Sequence, residues 1–201
     1  MSGSGPRLAP LPPEHSPELA DQFASFLKTL GFVPNSVLTM QRKPALVRAF
    51  VAMQAAIWSP DSKVDRGLKR LIAFAASRAT QDAYSMAHTA SGALHFGIAA
   101  EKLAALADFR SSPQFTDADK SALALALAAS AVPNGVTEEI FAELRRHWSE
   151  EQIVEIVATI AMAGFLARWN GTMATPLETE PLEVAEKHLA PQGWSAGVHG
   201  A

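Results

Sequence analysis

Ser149-Glu150-Glu151-Gln152, followed by Ile153, Ile156, Val157, Ile160, Ala161, Gly164 and Phe165, constrains the fold more than any other stretch of this chain. A Ser at the cap and a Gln three residues later close reciprocally on the first free N–H groups of a helix. The apolar residues behind them recur at i, i+3, i+4 and i+7, which places them on one helical face. The same grammar runs through the rest of the chain. Ser16-Pro17 reads as a cap with proline at the first helical position, and Gly31 as the stop. Pro44 to Trp58 forms a further helix, closed by Ser59-Pro60. A helix pair is expected over Val64 to Arg78 and Gln81 to Phe96, meeting near Thr80 and ending at Gly97. Thr116 caps a helix from Asp117 to Ala131, Pro133-Asn134-Gly135 turns the chain, and Thr137 caps a helix to Trp148. No segment alternates polar and apolar residues as a strand would. The expected fold is therefore all-α.

Composition narrows the class. With 48% apolar and 18% charged residues and a net charge of −3, the chain is neither disordered nor a nucleic-acid binder. The run from Ala122 to Val132 is interrupted by Ser130 and falls short of the roughly 20 residues of a bilayer span, so no membrane partner is expected. Residues 1–15 read as a flexible, Pro-rich arm without an apolar signal core, which places the protein in the cytoplasm. Residues 16–182 form one helical domain and 183–201 a C-terminal tail. The Asn170-Gly171-Thr172 sequon carries no weight without a secretory signal. There is no cysteine, hence no disulfide and no self-contained thiol chemistry. Helices this rich in Ala bury little area each, which favours a homo-oligomer that covers a second face.

Within the second helix of the pair, Tyr84, His88, Ser91 and His95 fall at i, i+4, i+7 and i+11, a polar stripe on a helix otherwise made largely of small and apolar residues. His88 is the natural acid–base group. Metal binding is not expected, because His88 and His95 lie about 10.5 Å apart along the axis at roughly 1.5 Å per residue, too far for one ion with bonds of about 2 Å. Ser85 sits one turn before His88, but no G-x-S-x-G elbow accompanies it.

The stretch Leu68 to Gly97, LKRLIAFAASRATQDAYSMAHTASGALHFG, resembles the alkylhydroperoxidase D / carboxymuconolactone decarboxylase family, as do the flanks GFVPNSVLTM and ARWNGTMATPLE. The resemblance implies an orthogonal helical bundle that assembles as a dimer, trimer or hexamer. Peroxidase members of that family carry a Glu, a C-x-x-C pair and a His. Here Asp82 and Ser85 stand at the two sulfur positions, Arg70 at the position of the Glu, and His88-Thr89 in register with the His. The resemblance thus implies the fold without thiol peroxidase chemistry. Tyr84, Ser85 and His88 are the catalytic candidates, Arg70, Asp82 and Thr89 the substrate-binding ones, and an Arg70–Asp82 ion pair is expected. Arg168-Trp169-Asn170 resembles an R-x-N box that lines either the pocket or a subunit contact. The expected activity is cofactor-free acid–base chemistry on a small organic acid, lactone or carbonyl compound, with a small anionic ligand at Arg70. The alternative is a pseudoenzyme that keeps the fold and binds without turnover.

Overall fold

The computed structural model describes residues 5–200 and is built of helices, with no strand among the described residues. In chain order they are α1 (Ala20–Leu30), α2 (Asn35–Met40), α3 (Pro44–Ile57), α4 (Arg66–Ala79), α5 (Ala83–His95), α6 (Ala100–Ala104), α7 (Asp117–Ala129), α8 (Glu138–His147), α9 (Glu150–Met173) and α10 (Thr179–His188). Both ends of the first long helix follow local chemistry: a short 3-10 turn over Pro17–Leu19 feeds α1, and Gly31 ends it at φ 82°, where a side chain would strain the backbone. The caps at Thr116, Thr137 and Ser149 all form, two of them as reciprocal capping boxes with Asp119 and Gln152. Three short or late helices, α2, α6 and α10, have no counterpart in the sequence reading. Two of them are five or six residues long, too short to show a period.

The α4–α5 pair is the centre of the bundle. Ten residues of α4 are buried, including Leu71, Ile72 and Phe74. Helices α5, α7 and α9 pack around α4, α10 covers α5, and α8 covers α7. A second apolar cluster gathers Leu19, Phe23 and Phe26 with Val37, Met40, Val47 and Phe50 of the N-terminal helices, closed by Phe165, Leu166 and Trp169 of α9. Helix α9 has the length and apolarity of a membrane span. It belongs to the bundle, where Glu155 on its flank pairs with the fully buried Lys69 of α4 at 2.7 Å. Lys69 Nζ also donates to the Ile57 carbonyl at 2.7 Å, and Glu155 accepts from Ser62 and from the Lys63 backbone N–H. Burial opposes ionisation of Glu155, but the hydrogen bonds from Lys69, Ser62 and Lys63 together with the Lys69 charge outweigh it and bring its pKa down to about 2.

Two boundaries differ from the sequence reading. The N-terminal arm is laid on the body from Gly5 onward: the Arg7 guanidinium donates to the Gly171 and Thr172 carbonyls at 2.8 Å, partners that the last turn of α9 cannot supply for itself. Leu11 is fixed in turn through Leu38 and Gln41. Residues 1–4 of that arm lie outside the described residues. The expected domain end at 182 falls inside α10, and the segment beyond it is part of the fold. The Trp194 indole donates to the Ala83 carbonyl at 3.2 Å, and the Leu177 N–H to the His199 carbonyl at 2.9 Å. The inward stripe of α9 is also displaced. Ile153, Ile156, Ile160 and Ala163 are buried, whereas Val157 and Ala161 stand outside, because the face that meets α4 follows i, i+3, i+7 and i+10.

Candidate active site

The seam between the two apolar clusters holds a pocket of about 780 Å³, walled by α1, α3, α4, α5 and α9. The polar stripe of α5 faces it: Tyr84, His88, Ser91 and His95 all line the cavity, with Ser85 and Thr89. What fixes α5 there is its first turn. Gln81 takes φ 55°, the Asp82 N–H donates back to the Ser77 carbonyl at 2.9 Å, and Asp82 Oδ1 accepts from the Ser85 N–H at 3.3 Å as the N-cap.

The chemistry centres on a residue that sequence reasoning missed. Glu178 arrives from the segment between α9 and α10, which is redirected when Ala174 ends α9 in the left-handed region at φ 49°. Its Oε2 lies 2.6 Å from His88 Nε2. Its Oε1 accepts from the Tyr84 hydroxyl at 2.8 Å and from the Asn35 backbone N–H. Burial pushes the Glu178 carboxyl up, but hydrogen bonding to His88, its charge and the Asn35 and Tyr84 donors prevail and hold it below the ordinary value. Tyr84 is driven the other way: burial, then the neighbouring Glu178 charge, keep its phenol protonated well above the ordinary value. The carboxylate is therefore an acceptor and the phenol a donor. In the neutral imidazole, an Nε2–H given to the carboxylate leaves the lone pair on Nδ1. Its ring stacks on Tyr84 at 4.4 Å and meets the edge of Phe32 at 5.9 Å. Glu178 closed the downstream stretch that resembles the family, but as a single acid in a loop it shows no period that would connect it to His88.

The remaining candidates divide. Arg70 lines the pocket, but the expected ion pair with Asp82 does not form. Its guanidinium lies 4.0 Å from the Trp58 ring centroid and reaches toward Phe96, while Asp82 is buried as a cap with Oδ2 unpartnered and does not line the cavity. Asp82 turns onto the first turn of its own helix, and the Arg70 guanidinium onto the aromatic face of Trp58. Ser85 Oγ is buried beside the cavity without a partner, and Thr89 Oγ1 donates to the Ser85 carbonyl at 2.6 Å. The Arg168-Trp169-Asn170 box stays out of the pocket. Arg168 bonds back to Gly164 at 2.8 Å, Trp169 stacks on Phe165 in the second cluster, and Asn170 is fully buried near the end of α9. Leu166 is the residue of that turn which reaches the cavity. Among the described residues, no three His, Asp or Glu side chains converge as a metal site would require.

Residues 44–128 match the carboxymuconolactone decarboxylase family. Over nearly the whole chain, 92% of it and 99% of the other, this protein is 33% identical to the debrominase Bmp8, solved as a Cys-to-Ala variant in complex with 2,3,4-tribromopyrrole, with a TM-score of 0.85. The chain belongs to the carboxymuconolactone decarboxylase family. It is also similar to an uncharacterized peroxidase-related protein with an alkylhydroperoxidase AhpD core from Ralstonia eutropha JMP134: 25% identity, TM-score 0.69, covering 87% of this chain and 94% of that one. The protein YnjA of Escherichia coli K12 is 36% identical over 78 residues, a match that spans 43% of that relative. Within this family the chain is a cysteine-free member, with Asp82 and Ser85 in the frame of the thiol pair.

Proposed function

We propose that this cysteine-free member is an acid–base enzyme acting on a small cyclic organic acid, lactone or related carbonyl compound, with His88 as the proton carrier. The observation that carries the reading is the Tyr84–Glu178–His88 cluster: an ionised carboxylate, held by a phenol and a backbone N–H, orients an imidazole at the wall of a cavity large enough for a ring compound. His88 Nδ1 takes a proton from an acidic position of the substrate, Glu178 stabilises the imidazolium that results, and the proton returns to a different atom. That sequence is an isomerisation. Where the bond to a carboxyl carbon breaks instead, His88 first takes the proton of the carboxylic acid, CO2 leaves with its bonding pair staying on the ring, and the imidazolium returns that proton to the carbanion. Both balance without an oxidant or reductant.

Similarity to a debrominase that holds a bromopyrrole supports a ring-shaped ligand. Chemistry that needs a thiol is not proposed, since this chain has no cysteine. The same consideration supports the loss of dithiol peroxidase activity. Exposed Leu27, Met53, Phe96, Val154 and Val157 support assembly into a homo-oligomer that covers them.

The test is hydrogen exchange. Small lactones and cyclic acids incubated with the protein in D2O should take up deuterium at an acidic C–H, read by proton NMR. His88→Gln should abolish uptake while leaving the thermal unfolding curve nearly unchanged. Uptake that persists in that variant would remove His88 as the carrier, and no uptake with any ring compound that binds would leave a binding protein without turnover.

A further inference from the structure

The acid–base reading leaves one pocket residue unused. Arg70 projects into the cavity with its guanidinium stacked on Trp58 at 4.0 Å, and its Nε is buried without a partner. The fully buried Lys69 has Glu155 and the half-buried Lys102 has Asp119. None of the ion pairs among the described residues includes Arg70. A cation removed from water without an acid is costly to keep. Partial burial brings the Arg70 pKa down to about 10.

The wall around it is built for that side chain. A methyl group at Gly92 would stand 2.9 Å from both Arg70 Cδ and Nε, so the bare backbone of α5 gives the guanidinium its room. Stacking on Trp58 occupies one face of the guanidinium and leaves its edge for a planar acceptor. The lysine, arginine and acidic side chains lining the cavity are Lys28, Arg66 and Arg70 against Glu180, which Ser91 holds at 2.8 Å. The chain as a whole is acidic at −3, so this basic excess is local. The other walls carry flat aromatic side chains, Phe26, Phe32, Phe50, Trp58 and Phe96.

We infer that the pocket takes a planar aromatic or heteroaromatic carboxylate of one or two rings, its carboxylate gripped edge-on by Arg70 and its ring set among these aromatic side chains toward His88. Gly92, against which Arg70 rests, lies one turn beyond His88 on α5, about 6 Å along the axis at roughly 1.5 Å per residue. A carboxylate at Arg70 therefore leaves the body of a small ring between the anchor and the imidazole. Arg70 is the residue that selects the acid over its neutral counterpart. The inference deepens the acid–base reading and rests on its assignment of this pocket as the site.

The experiment measures binding of benzoate and naphthoate against benzamide and naphthamide by calorimetry. The amides keep the ring and the shape but lose the charge. Wild type should bind each acid roughly 10-fold or more tighter than its amide. Arg70→Met keeps a long apolar stem on Trp58 and should erase the preference by weakening the acids alone, while Arg70→Lys should restore part of it. Should Arg70→Met fail to fold, Gly92→Ala serves in its place: it displaces the guanidinium without removing its charge and should weaken the acids and spare the amides. Equal binding of acid and amide, a preference that survives the substitution, or no binding of either acid at millimolar concentration would each overturn the inference. Binding that depends on Arg70, with no deuterium uptake by any bound cyclic acid that carries an acidic C–H, would sink the acid–base reading and leave the carboxylate site standing. Uptake that ignores the carboxylate would do the reverse.

Discussion

Replacing Glu178 by Ala is the most informative perturbation of this protein, because three donors converge on that one carboxylate. Without it the Tyr84 hydroxyl, His88 Nε2 and the Asn35 N–H lose their acceptor together. Tyr84 is 3% exposed, so water cannot freely replace the lost partner there. A buried donor left unsatisfied costs about 1 to 3 kcal/mol. The His88 side chain, at 18% exposure, recovers part of its share from water. The expected total is about 2 to 5 kcal/mol, which for a chain of this size lowers the melting temperature by roughly 5 to 15 °C. Glu178→Gln keeps one acceptor oxygen and should lose about half as much. The pH dependence is set by the sign of the shift. Glu178 sits below its ordinary value of 4.5 in the folded protein, so its contribution is complete above that value and is lost as the pH falls through the lower folded one. Thermal melts of wild type and Glu178→Ala, followed by circular dichroism between neutral and strongly acidic pH, should therefore converge at the acidic end. A variant that melts with wild type at pH 7, or a gap that does not change with pH, would refute the assignment of an ionised carboxylate holding three donors.

Other consequences are as direct. Glu155→Ala leaves Lys69 buried without its acid and should cost about 3 to 5 kcal/mol, measured by urea unfolding, whereas exchanging both partners for Met and Leu should recover most of that loss. Light scattering at micromolar concentration should give a multiple of 21.4 kDa, and Val154→Glu with Val157→Glu on the outer face of α9 should reduce it; a wild-type monomer would refute the assembly.

The sequence alone determined what is written within a turn or two of helix. The cap at Thr116, the capping box at Ser149, the stop at Gly31 and the 3.6-residue stripe carrying Tyr84, His88, Ser91 and His95 each depend on neighbours at most eleven positions apart, and each appears in the structure where the local chemistry puts it. Family membership was legible for the same reason, since the motif lies along one helix pair. Tertiary structure decided the partners. His88 meets a carboxylate 90 positions away that no period announces, and Arg70 lies on the Trp58 ring while Asp82 caps its own helix. The arm, proline-rich by composition, is held where Arg7 reaches the last carbonyls of α9, which their own helix leaves without donors, and the tail is held where the Trp194 indole reaches the Ala83 carbonyl across from it. Local hydrogen bonding and periodicity are fixed by adjacent residues; which buried charge faces which is fixed only when distant segments close on one cavity and must satisfy each other in the absence of water.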